Sequence, residues 1–284
     1  MTINSNPENW LKDYLLLILI LLLYGINTYY LTSLDREPPK WDESVHLRDS
    51  LVFYNVLSNP FQINLEIIKE IINKSEQYPL LRPSGYYPPF TTMLTSIFYF
   101  IFGTSSKIAV MSNMISLLIL VFSIYGIGTL FFYRKIGLLA SILTLLFPIV
   151  LSNSIVYMLD LSLTAMASLG IYTLIRTEYF KNTSFSIISG IVFGLGMLTK
   201  WTFLFFLLGP LCYFLIAAFY SENTPDNISK NLLKPISNII LFVFASVCTF
   251  GPYYFPILPN LIEETLKYSQ GVLAHGPDTL FSFA

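Results

Sequence analysis

Charge is scarce in this sequence. Only 12% of its 284 residues are Asp, Glu, Lys or Arg, and 16 basic against 17 acidic side chains leave a net charge of −1. No run of like charges forms an interaction tail, and this balance gives nucleic acid nothing to bind. Cysteine is nearly absent: Cys212 and Cys248 lie in apolar stretches without CxxC spacing, which excludes a disulfide framework and a cysteine zinc site. Both read as small hydrophobes. What fills the chain instead is apolar, 54% of all residues with a mean hydropathy of +0.63, far above a soluble domain. An integral membrane protein follows.

A helix needs about 20 mainly apolar residues to cross the hydrocarbon core. Seven stretches qualify as expected spans: 11–31, 108–132, 137–152, 161–177, 185–199, 201–219 and 236–257. The first is longer than a signal-peptide core and has no small-x-small cleavage site before the polar loop, so it reads as a retained signal anchor. The expected fold is an all-α, polytopic bundle of about seven spans, one module over 1–284. An outer loop over 32–105 carries juxtamembrane helices, one of them amphipathic around Leu65 to Ile72. A second outer loop spans 258–284, and the apolar ending LFSFA suggests a truncated chain or a minimal module. The segment 88–103 is apolar but short, and either dips into the membrane without crossing, which leaves seven spans, or forms an eighth span.

Without a crossing at 88–103, basic residues fall on one side: Arg134 and Lys135, Arg176 and Lys181, Lys230 and Lys234. The positive-inside rule makes that side cytoplasmic. The long first loop counts for little in this rule, and its eight acidic residues outnumber its six basic ones. Asp42, Glu43, Asp160 and His275 share the outer face. Gly190 and Gly194 form a GxxxG in the fifth expected span, which favours close helix packing within the chain over dimerisation.

Ionisable groups near membrane depth are costly and therefore candidates for function. Asp42 and Glu43 follow Pro38, Pro39 and Trp41 after the first span. They suit either a helix start, where the dipole favours acids, or a general base for an attacking hydroxyl. His46, one turn on, has either acid within hydrogen-bonding reach; one histidine with two carboxylates leaves a divalent cation open as a cofactor. Asp160 opens the fourth expected span, with Thr164 and Ser168 continuing a polar stripe that should face the bundle or a cavity. It is either a helix cap or a site residue. Lys200 interrupts the apolar run LGMLTKWTFLF at a tight turn, where an ammonium either snorkels to the head groups or holds a lipid phosphate. Tyr87 and His275 are accessory candidates beside the acceptor.

WDESVH, YYPPFTTMLTSIFYFIFG, RKIGLLASILTLLFPIVLSNSIVYMLD and SGIVFGLGMLTKWTFLFF, in this order, resemble the N-terminal module of the GT-C membrane glycosyltransferases. The chain is similar in particular to the dolichyl-phosphate-mannose-protein mannosyltransferases and the aminoarabinose lipid A transferases, over about residues 10–260. The resemblance implies seven membrane helices with juxtamembrane helices in the first outer loop. It also implies transfer of a sugar from a polyprenyl-phosphate donor to an acceptor at the outer face. In that scheme Asp42 is the first acid of an Asp-Glu pair and the catalytic base. Asp160 is the second acidic position, and Lys200 contacts the carrier phosphate. Members differ in metal use, so the metal requirement stays open, as do the sugar and the acceptor. Direct displacement would invert the anomeric centre. A bacterial plasma membrane is the expected location. Two departures stand out: Ser44, Val45 and His46 replace the Arg, Tyr and Ala of several relatives, and the family's further helices and outer domain are not in this sequence. The competing readings are a transporter or flippase of a lipid-linked substrate, and a non-catalytic membrane scaffold. A transporter would show two related halves with interrupted helices, and no such symmetry is visible.

Overall fold

The computed structural model describes residues 7–34, 39, 42–58, 87–220 and 228–269, and the regular structure among them is entirely helical. In chain order the helices are α1 (Pro7–Leu34), α2 (Asp42–Ser58), α3 (Phe90–Phe102), α4 (Ser106–Phe131) and α5 (Arg134–Leu146). Then come α6 (Pro148–Ser154), α7 (Leu159–Arg176), α8 (Thr183–Met197), α9 (Phe203–Tyr220) and α10 (Ile228–Ser269). The amphipathic stretch 65–72 and His275 lie outside the described residues.

Each of the seven expected spans is helical, but by length and composition only α1, α4, α9 and residues 232–256 of α10 can cross a bilayer. Taking α5 and α6 as one bent span makes five. The expected count of seven is not reached, for two reasons. Helix α7 carries Asp160, Ser162, Thr164, Ser168, Thr173 and Arg176. It is packed among α4, α8 and α9, and a helix so enclosed need not be apolar all round. Helix α8 has 15 residues, a rise of about 22 Å against a core of about 30 Å.

The single span expected over 137–152 is broken. Pro148 has no N–H for the preceding turn, and its ring pushes Phe147 into an extended conformation (φ −63°, ψ 129°), so α5 and α6 meet at 62°. At the other end of the chain, α10 runs to Ser269, past the expected end at 257 and into the stretch read as a loop. The apolar run ends there, but Glu263, Glu264, Leu266 and Lys267 are good helix formers that carry the helix on.

Helix α4 forms the centre, packing on α1, α3, α5 and α7, while α8 lies between α7 and α10. Small and hydroxylated residues bring these helices together, as expected where lipid tails remove the hydrophobic drive. Ser116 Oγ meets Ser162 Oγ at 2.8 Å, and Ser246 Oγ donates to Gly190 O at 3.0 Å. A Cβ on Gly190 would lie 2.4 Å from Phe242 O, and one on Gly194 would lie 2.5 Å from Thr249 Cβ. The GxxxG thus serves packing of α8 on α10 within the chain.

Helix α3 is amphipathic in reverse. Thr91, Thr92, Thr95, Ser96 and Tyr99 are buried, whereas Ile97, Phe100, Ile101 and Phe102 are exposed. Its 13 residues rise about 20 Å, too little to cross. Phe90 N–H donates to Leu198 O at its start, and Tyr99 near its end packs on Ala109 and Val110 at the start of α4. Both ends of α3 therefore contact residues at one end of the bundle.

The opposite end is held by a buried ion pair. Asp13, 6% exposed, accepts from Arg134 Nε at 2.9 Å and from the Tyr125 hydroxyl at 2.8 Å. Arg176 belongs to the same end, within electrostatic reach of Tyr14. It bonds the Tyr172 hydroxyl at 3.0 Å and covers the Phe185 ring at 4.3 Å.

Candidate functional site

Three segments converge at the end of the bundle away from Asp13. The first is the start of α2, where Asp42 and Glu43 occupy the first turn, favoured there by the helix dipole. The second is the link 155–158 between α6 and α7, followed by Asp160. The third is the turn 198–202 between α8 and α9, which carries Lys200.

Tyr157 ties the first two together. It is fully buried; its N–H donates to Glu43 Oε1 at 3.1 Å, and its hydroxyl donates to Thr95 Oγ1 at 2.6 Å. The same hydroxyl lies 2.9 Å from Ser50 Oγ in α2, and Thr95 Oγ1 lies 2.7 Å from Ser112 Oγ in α4. Burial pushes the Tyr157 phenol up to about 12, so it remains a neutral donor at physiological pH. Asn113 fixes the link from below, donating from Nδ2 to Val156 O at 2.9 Å. One residue thus aligns α2, α3 and the start of α7.

Lys200 and Asp160 bring in the third segment. Nζ donates to Asp160 Oδ1 at 2.8 Å, with the side chains 25% and 49% exposed. The turn that presents Lys200 is compact: Thr199 and Lys200 N–H both donate to Gly196 O. A Cβ on Gly196 would lie 2.3 Å from the Phe203 ring, so only glycine lets this turn close over it. Tyr254 of α10 donates to Met197 O at 2.8 Å, and Tyr253 donates to Tyr87 O at 3.2 Å. The last helix thereby braces both the lysine turn and the entry to α3.

His46 lies among these groups and is 2% exposed. Its ring stands edge-on to Tyr87 at 4.6 Å and to Tyr157 at 6.4 Å between centroids, and its Nδ1 is buried with no hydrogen-bond partner. Burial pushes its pKa below the usual histidine value; Asp42 and Asp49 oppose this, Lys200 adds to it, and Asp160 opposes it more weakly. The imidazole is therefore a neutral group surrounded by charges from all three segments.

Several expectations change here. Asp160 is not the cap of α7, since Met158 holds that position; its carboxylate turns to Lys200. The Thr164 and Ser168 hydroxyls return to Asp160 O and Thr164 O, and with Thr164 exposed and Ser168 half-buried this face of α7 is not packed into the bundle, the first of the two expected settings. The reason is that α4, α8 and α9 occupy the other faces of α7. Glu43 is engaged by Tyr157, whereas Asp42 is exposed. Asp49, 3% exposed and 3.2 Å from Arg48 Nη2, joins the cluster unforeseen. Its place three residues after His46 on a helix was the available signal. Among the described residues no three His, Cys, Asp or Glu side chains gather as a metal site.

The chain was compared with protein families, curated proteins and solved structures. The model of the dolichyl-phosphate-mannose-protein mannosyltransferase family matches residues 87–250, which includes Tyr87, Tyr157, Asp160 and Lys200. No curated protein and no solved structure matches.

Proposed function

The chain belongs to the dolichyl-phosphate-mannose-protein mannosyltransferase family, a multi-pass membrane glycosyltransferase family of GT-C type with a lipid-linked donor, and from that premise we propose how its own residues would work. It transfers a sugar from a polyprenyl-phosphate donor to an acceptor hydroxyl or amine, with inversion, as one module over the whole chain. The observation that carries this reading is the Lys200–Asp160 pair at the same end of the bundle as the exposed carboxylate of Asp42.

The leaving group is a phosphate, so the reaction needs a base for the acceptor and positive charge for the departing oxygen. The acceptor oxygen attacks the anomeric carbon while the bond from that carbon to the phosphate oxygen breaks. The electron pair stays on the phosphate, facing Lys200, and the acceptor proton goes to Asp42. Asp160 pairs with the Lys200 ammonium until the phosphate displaces it. Glu43 holds α2 on Tyr157, and His46 and Tyr87 line the acceptor side.

The positive-inside rule supports an outer site, because Arg134, Lys135 and Arg176 lie at the end away from Asp42. We place it on the outer face of a bacterial plasma membrane. Asp42→Asn is expected to insert and fold but to lose about a hundredfold or more in transfer from polyprenyl-phosphate-mannose, the scale of a missing general base. Near-normal turnover by the folded variant would remove Asp42 from the mechanism.

A further inference from the structure

We propose that His46 is the positioning residue of Asp42: its Nδ1–H donates to one oxygen of the Asp42 carboxylate and leaves the other aimed at the acceptor. The catalytic half of this statement rests on Asp42 being the base. The hydrogen bond itself does not.

The first ground is the unsatisfied Nδ1. A polar atom buried without a partner costs on the order of 1–3 kcal/mol, and native proteins seldom leave one so. Its ring is held at two edges by Tyr87 and Tyr157, and its helix is clamped through Glu43 and Ser50 to Tyr157. The imidazole is fixed, and a partner must come to it.

The second ground is direction. Side chains on a helix lean toward its N-terminus, so a residue at i+4 covers the turn of residue i. His46 leans toward Asp42.

The third ground is that the other acids around the ring are occupied. Glu43 accepts from the Tyr157 N–H, Asp160 from Lys200, and Asp49 from the Arg48 guanidinium. The Lys200 ammonium is held at Asp160 and does not reach Nδ1. Asp42 is exposed at the first residue of its helix and has the rotameric freedom to turn. A carboxylate gripped on one oxygen presents the other in a fixed direction, which is what attack at an anomeric carbon demands.

Two measurements on the full chain in nanodiscs test this. Nitrogen NMR of labelled histidine, with His46→Asn used for assignment, reads which ring nitrogen of His46 carries the proton. The expected result is the Nδ1–H form, lost in Asp42→Ala, which removes the acceptor, and kept in Asp49→Asn. A proton on Nε2 in the wild type, or a response to Asp49→Asn and not to Asp42→Ala, overturns the pairing whether or not the chain turns over.

Transfer from polyprenyl-phosphate-mannose supplies the second readout. The amide of Asn reaches where Nδ1 does and that of Gln where Nε2 does. His46→Asn should therefore retain a kcat about tenfold or more above that of His46→Gln, with the donor KM alike in the two variants. Equal losses in both variants mean a packing role only and refute the positioning. Should Asp42→Asn remain fully active while the NMR result holds, the base assignment fails and the hydrogen bond stands.

Discussion

Replacing Lys200 by alanine separates the partner seen in the structure, the Asp160 carboxylate, from the one proposed for it, the phosphate of the donor. The pair with Asp160 is short, 2.8 Å, but the side chains are 25% and 49% exposed. Screening at such exposure limits an ion pair to about 1 kcal/mol or less, so Tm in detergent should fall by no more than about 3 °C. A charge-assisted hydrogen bond to a phosphate is worth about 1.5–3 kcal/mol, which at about 1.4 kcal/mol per decade is a loss of roughly 10- to 100-fold in donor affinity. The assay is binding of polyprenyl-phosphate-mannose to the purified chain in nanodiscs, wild type beside Lys200→Ala. Asp160→Asn gives the complementary arm: with its competitor neutralised, the ammonium should bind donor as tightly as in the wild type or up to about fivefold tighter. Unchanged donor affinity in a well-folded Lys200→Ala would refute the phosphate role. Equal losses in both variants would show that Asp160 is needed to hold the lysine in place, and would refute the competition argued here.

Gly190→Val should lower Tm by about 3 to 9 °C, since its new atoms meet the Phe242 carbonyl, backbone that does not yield; overpacking of this kind costs about 1–3 kcal/mol. An unchanged Tm would mean that α8 and α10 are not packed as described. Asp13→Asn leaves Arg134 without its counter-ion at a 6% exposed position; about 2 kcal/mol of stability should be lost, short of a fully buried pair because Arg134 is 26% exposed. Chemical denaturation read by tryptophan fluorescence measures it. Thr104→Cys and Lys135→Cys, in a background without Cys212 and Cys248, should be labelled by an impermeant reagent from opposite sides of the membrane. Labelling from one side only would overturn the assignment of α4 as a crossing helix.

The sequence made the helices legible because lipid imposes a simple rule on length and polarity. It made Asp160 and Lys200 conspicuous as lone charges in apolar runs, and Asp42 as one of two adjacent acids just after the first span. It concealed groups whose importance depends on distant partners. Tyr157 is one of 19 tyrosines and becomes central only because Glu43, Ser50 and Thr95 reach it from other helices. Asp13, near the start of α1, gains its role only from Arg134 and Tyr125, which reach it from α5 and α4. Phe147–Pro148 was readable as a break, yet the apolar run through it favoured one span. In FTTMLTSIFYF the hydroxyls at 91, 92, 95 and 96 already mark one helix face; only the structure shows that this face is the inner one.

The reversed faces of α3 bear on how the chain is made. A segment of 13 residues, with threonines on one side and phenylalanines on the other, is too short to be stitched across a membrane on emerging from the ribosome. Its hydroxyl side is satisfied by Ser112 and Tyr157, which are synthesised after it. Until α4 and the link before α7 have been inserted, α3 has nowhere to dock, and α2, which leans on α3 and Tyr157, must wait with it. The candidate site is therefore completed late in biogenesis, and an unfinished chain does not yet hold the first turn of α2 beside Tyr157.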